Sequence, residues 1–188
     1  MSLKILRLLQ IMDDFILEIP NVLPKELCES ITKRFENDPR KNTLNVDKKN
    51  KELMFTDLEG WFDINTFFSN KTNKVIEEYM RLLKDNPDYD KEITNSKNVY
   101  NTGFCIQRID KGSCYNGNSP EKRFVQVIFY LNTLEEDQGG YIEFTNGRKI
   151  KPEIGKVLIY PCSSKFSHTK NEVKHGFKYI CKISIAFN

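Results

Sequence analysis

From about residue 100 onward the chain is a succession of short runs rich in β-branched and aromatic residues. No other feature constrains the fold as strongly. The runs are TGFCIQRI, RFVQVIFYLN, GGYIEF, RKIKP, GKVLIYPC and FKYICKISIAF, punctuated by DKG, NGN, NG and PEIG. Such runs, bounded by Gly, Pro, Asn and Asp, read as antiparallel strands. So many strands must close or double their sheet, because open edges invite aggregation.

Before residue 100 the periodicity is helical. A short extended run, 15–19, leads to LPKELCESITKRFEND, where Leu27, Ile31 and Phe35 recur at helical spacing behind Pro24. A loop with Gly60 and the lone Trp61 follows. The stretch 70–86 carries Val75, Ile76, Tyr79, Leu82 and Leu83 on one side and stops at Asn86-Pro87. Helices first and strands afterwards predict an α+β fold, with a sandwich or open barrel in the C-terminal half. With no repeats or composition breaks, 1–188 reads as a single domain, helix-rich over 1–99 with its strand core over 100–188.

Charge excludes some partners. Twenty-nine basic and 26 acidic residues are interleaved to a net charge of +3. That balance points to neither nucleic acid nor an anionic membrane. The lysine-rich 41–52 is broken by acids and reads as a solvated loop. No apolar run approaches the ~20 residues of a bilayer span. The apolar opening MSLKILRLLQIM lacks a cleavage site and reads as an N-terminal strand or helix. Five widely spaced cysteines form no CxxC pair, so they read as reduced thiols in a cytoplasmic protein.

The last run can be read by parity. Lys178, Ile180, Lys182, Ser184 and Ala186 share one face, and Tyr179, Cys181, Ile183, Ile185 and Phe187 share the other. The second face is expected to pack on the helices. The first is expected to line a lumen, with Lys178 at its mouth. Both histidines of the chain, His168 and His175, precede this run.

The order His168, Val173, Gly176, Lys178 resembles the end of the motif in prolyl-4-hydroxylase-type Fe(II)/2-oxoglutarate oxygenases. KIKPEIGKVLIY is similar to that family's strand–Pro–x–x–Gly–strand. RFVQVIFYLN followed by DQGGYIEF is similar to its Arg…TyrLeuAsn…GlyGly…Phe segment, and FILEIPNVLPKELCESI to its entry strand and first helix. The resemblance implies a double-stranded β-helix (jelly roll) with N-terminal helices on the major sheet. It also implies Fe(II) and 2-oxoglutarate as cofactors, a small dicarboxylate ligand, and a peptide or protein substrate. Carried over residue by residue, His168 is the distal metal ligand. Lys178 is the partner of the 2-oxoglutarate carboxylate, and the Tyr130 hydroxyl is its second donor.

The family's His-x-Asp half is missing. Gly112 and Tyr115 are in register, but Asn118 occupies the usual first His slot and Pro120 the usual Asp slot. The family's 2-oxoglutarate-contacting tyrosine falls on Ile109, its Thr on Gln126, and its Glu-Thr on Tyr141-Ile142. Glu121, Asp110 and Glu143 are the candidate substitute carboxylates. One imidazole cannot hold Fe(II) as two imidazoles and a carboxylate do.

Three functions follow as alternatives. The first is an oxygenase-fold protein with a degenerate iron site that binds 2-oxoglutarate or a similar acid. The second is an active 2-oxoglutarate-dependent hydroxylase with an unusual ligand set. The third is a non-enzymatic jelly-roll interaction domain, its lumen filled by Gln126, Tyr141 and neighbours. Each residue also has a simpler reading. His168 can end a strand, Lys178 can be a surface lysine, and Tyr130 can be a core aromatic. Gly139-Gly140 can form a tight turn, His175 can sit in an exposed one, and Cys162 lies six residues before His168.

Overall fold

The computed structural model describes residues 15–44, 50–84, 99–113, 123–162 and 166–187. The N-terminal stretch 1–14 and the positions Tyr115, Asn118, Pro120 and Glu121 lie outside the described residues.

Helix α1 spans Lys25–Asn37 and begins right after Pro24, burying Cys28, Ile31 and Phe35. Helix α2 spans Phe62–Lys84, starting eight residues before the Asn70 predicted. The reason is an apolar stripe that runs further back than 70–86 shows: Ile64 and Phe68 precede Thr72, Val75, Tyr79 and Leu83, all buried at three- and four-residue spacing. Leu82, expected on that stripe, is 43% exposed.

The described strands are β1 (Leu17–Ile19), β2 (Asn42–Leu44), β3 (Asn50–Met54), β4 (Val99–Asn101), β5 (Cys105–Asp110) and β6 (Arg123–Tyr130). They continue with β7 (Ile142–Phe144), β8 (Lys149–Ile150), β9 (Val157–Pro161), β10 (His168–Lys170) and β11 (Phe177–Phe187). The major sheet runs β1-β9-β6-β11-β5-β3-β2, with β4 also on β11, and the minor sheet runs β10-β7-β8. All the pairs are antiparallel.

The lysine-rich segment expected to be a loop instead contributes β2 and β3, pairing Leu53 with Ile106. Backbone pairing needs no apolar side chains, and the charges of Lys51 and Glu52 suit strands at a sheet margin.

The helices cover one face of the major sheet. Phe35 of α1 meets Tyr179 of β11 edge-on at 6.4 Å, and Phe68 of α2 meets Phe129 of β6 at 4.9 Å. Phe55 and Phe104 complete the cluster around Phe68. The other face of the major sheet looks at the minor sheet. Tyr160 of β9 bridges the two, its ring 5.2 Å from Phe144 and 4.9 Å from His168. The result is a jelly roll with helices on its major sheet, a double-stranded β-helix.

Candidate functional site

Strand register decides which side chains enter the roll. Lys178 pairs with Ile109, and Ile180 lies between Gln107 on one side and Tyr130 on the other. Lys182 lies beside Ile128, and Ser184 beside Gln126. These residues share one face, and Lys178, Ile180, Ser184 and Ala186 are all buried. The face predicted as lumen is therefore closed from water along most of its length.

Lys178 is 4% exposed. Its ammonium donates to the carbonyl of Gly140 at 2.5 Å and lies 5.5 Å from the centre of the Tyr130 ring. Among the described residues it makes no ion pair with an acid. Burial, aided by the charge of Lys170, pushes its pKa down to about 7. Tyr130 is wholly buried and its hydroxyl has no hydrogen-bond partner among the described residues. Burial raises the pKa of that phenol, so it stays protonated as a donor. The ammonium of Lys156, on another side of the same ring at 5.9 Å, is neutralised by Glu18 at 2.9 Å and Glu153 at 3.2 Å.

The Gly139-Gly140 pair serves this arrangement. Both have φ of +71°, and a Cβ on Gly140 would lie 2.6 Å from Leu134 Cδ1 and 3.5 Å from Lys178 Cδ. Only glycine lets this backbone come close enough to present its carbonyl to the buried lysine.

His168 begins β10. Its Nδ1 lies 3.2 Å from the carbonyl of Phe166, which can only accept, so the ring proton sits on Nδ1. Nε2 then faces the Tyr160 hydroxyl at 3.4 Å as acceptor. Burial lowers the pKa of this imidazole, and Lys170 and Lys178 add to the effect, so it is held neutral. A neutral Nε2 is a metal-competent donor, but it has no companions among the described residues, where no three His, Cys, Asp or Glu side chains come together as a ligand set.

The two described substitute carboxylates face elsewhere. Asp110 turns to the helix side of the major sheet, where Arg108 holds it at 2.7 and 3.1 Å. Glu143 alternates with the inward Ile142 and Phe144 and faces Lys149 at 3.7 Å. Fe(II) therefore does not fit the donors that the described residues offer.

Other expectations resolve by parity. Tyr141 lies outside the roll, its ring under the Lys149 ammonium at 5.2 Å, and does not fill the lumen. Gln126 does, accepting from the Ser184 hydroxyl at 2.8 Å and donating to the Ile183 carbonyl at 2.8 Å. His175 is exposed.

Two residues that the sequence reading passed over enter the site. Lys170 is two residues beyond His168 on the same side of β10, opposite Ile142. With Asn171 and Lys178 it lines a cavity of about 10 Å³. The remaining walls are apolar, chiefly Ile109, Ile128, Ile142 and Ile180. The signal for Lys170 was the i, i+2 spacing from His168. Asn171 follows the strand and had none.

Residues 97–188 match the model of the 2OG-Fe(II) oxygenase superfamily. Solved structures similar to the chain include a viral collagen prolyl hydroxylase of Paramecium bursaria Chlorella virus-1 in complex with 2OG. It is 16% identical, with a TM-score of 0.66 over 93% of this chain and 96% of that one. A Trichoplax adhaerens prolyl hydroxylase, in complex with a hypoxia-inducible-factor degradation-domain peptide, is 12% identical, with a TM-score of 0.70 over 100% and 94%. A Pseudomonas putida prolyl-4-hydroxylase is 11% identical, with a TM-score of 0.64 over 96% and 99%. No curated protein matches the sequence.

Proposed function

For a chain whose residues 97–188 belong to the 2OG-Fe(II) oxygenase superfamily, and whose fold is that of prolyl 4-hydroxylases, we propose a binding role. It holds 2-oxoglutarate or a similar dicarboxylate through Lys178 and Tyr130, and its iron centre is degenerate. The observation that carries this reading is the buried Lys178 ammonium, whose one hydrogen bond is to a neutral carbonyl. Removing an ion from water costs several kcal/mol unless a counter-charge meets it. A ligand carboxylate supplies that charge and gives the orphaned Tyr130 hydroxyl an acceptor.

The degenerate metal centre follows from the donors. The sequence holds two histidines, neither before residue 168, and Asn118 and Pro120 stand in the His-x-Asp slots. A peptide or protein segment is the partner class at the mouth of the roll, by likeness to the Trichoplax complex.

A second reading, a jelly-roll interaction domain with a closed lumen, draws on the cavity, whose volume of about 10 Å³ matches a single water. The test is anaerobic calorimetry of the metal-stripped protein with 2-oxoglutarate, with and without Fe(II) or Mn(II). Heat from 2-oxoglutarate that disappears in Lys178→Met supports acid binding. Tight metal binding with Fe(II)-dependent succinate formation would return the chain to the working hydroxylases. No heat under any condition would leave the interaction domain.

A further inference from the structure

A single carboxylate calls for one counter-charge, yet the lumen presents two ammonium groups to one cavity. Lys170 and Lys178 both line it, and no acid does. Asn171 lines it too, and its side-chain Nδ2 is buried with no acceptor among the described residues. Lys178 spends one of its three N–H groups on Gly140. Every polar side chain in the wall can donate, and none carries negative charge.

We propose that Lys170 is a second anchor for the acid, so that a short dicarboxylate dianion is held between Lys170 and Lys178 with no metal ion. This rests on the acid-binding reading above and extends it to the far end of the ligand. Where a metal holds one end of a 2-oxo acid, the metal supplies that end's positive charge. Here a lysine two residues from His168, on the same side of β10, supplies it instead. Lysine suits the task because its charge is compact and its four-carbon stem adjusts to ligand length. The same stems admit the ligand: the cavity enlarges when the two side chains withdraw from each other. Their mutual repulsion, which each feels in a site of low dielectric, is relieved by a dianion between them.

The experiment is calorimetry of the full chain in EDTA, titrated with succinate, with 2-oxoglutarate and with acetate as a one-charge control. Both diacids are expected to bind without metal, and acetate at least roughly tenfold more weakly. Lys170→Met is expected to weaken succinate by roughly ten- to hundredfold and leave acetate unchanged, while Lys170→Arg retains succinate binding. Lys170→Gln gives the same readout with a polar stem should the methionine variant fold poorly.

Wild-type succinate affinity in both Lys170→Met and Lys170→Gln, or binding that appears only with Mn(II), would overturn the proposal. Either result leaves the Lys178 reading intact if Lys178→Met still abolishes binding. That broader reading fails instead if succinate binding is indifferent to Lys178→Met, or absent with and without metal.

Discussion

Lys178 of β11 donates its buried ammonium to the carbonyl of Gly140, 38 residues earlier in the chain, at 2.5 Å. Neither residue reaches this contact alone. The lysine needs a backbone carbonyl free of sheet pairing, and the carbonyl needs a glycine at positive φ. Gly140→Ala is expected to destabilise the protein by roughly 1–3 kcal/mol, since it adds backbone strain and crowds Leu134. Gly139→Ala should cost more, because its new Cβ would collide with the backbone carbonyl of Glu172, which cannot swing away as a side chain can. Urea unfolding of both variants checks the order.

Lys178→Met is expected to abolish diacid binding and yet leave the unliganded protein as stable as the wild type, or more so. The direction follows from the pKa of about 7 in the folded chain against an ordinary 10.5. Below pH 7 the lysine is charged in both states and the burial penalty is fully present. Between pH 7 and 10.5 the unfolded state binds more protons, so wild-type stability rises with pH and the penalty fades. The advantage of the methionine variant should be largest below pH 7 and gone above about 10.5. Thermal unfolding across that range reads it.

Acid binding should carry its own pH signature. The ligand needs the ammonium form, and above pH 7 the unliganded site has lost much of it. Succinate affinity is expected to fall as pH rises from 7 to 9, with proton uptake on binding. Calorimetry at pH 8 in buffers of different ionisation enthalpy measures that uptake.

Tyr130→Phe removes a buried hydroxyl that has no partner among the described residues. The unliganded protein should gain about 1 kcal/mol, the desolvation cost of an unmade hydrogen bond. Diacid affinity should drop roughly fivefold, as one donor to the carboxylate is lost. Denaturation and titration of one preparation give both numbers, and they are expected to move in opposite directions.

Away from the lumen, Asp38 joins the end of α1 to the approach to α2. Its carboxylate accepts from Arg40 at 2.7 and 2.9 Å and from Trp61 Nε1 at 2.8 Å. The Arg40 bond holds its pKa far below the usual value, and Trp61 contributes. Asp38→Ala is expected to cost roughly 2–3 kcal/mol by stranding the buried indole N–H. The stabilisation is complete above the ordinary aspartate pKa and is lost as pH falls through the depressed one. Acid unfolding of the wild type should therefore begin below about pH 4.

Much of the fold is legible in local pattern. The alternation along 178–186 assigns Lys178 to the lumen, and the spacing of Leu27, Ile31 and Phe35 behind Pro24 marks α1. The absence of any histidine before residue 168 is a property of the sequence alone. Such features are legible because side-chain direction follows from a period of two or 3.6 residues.

Tertiary structure decided the rest. Asn42–Met54 became paired strands because β5 offered them a backbone partner, which no side-chain pattern announces. Lys170 and Tyr141 took opposite sides of the minor sheet on strands too short for their alternation to stand out. The company of Lys178 came from three separate strands and a glycine turn. A sequence names a buried charge through its neighbours in the chain, but what neutralises it depends on groups brought close only by folding, and the energy of that meeting falls with distance in space.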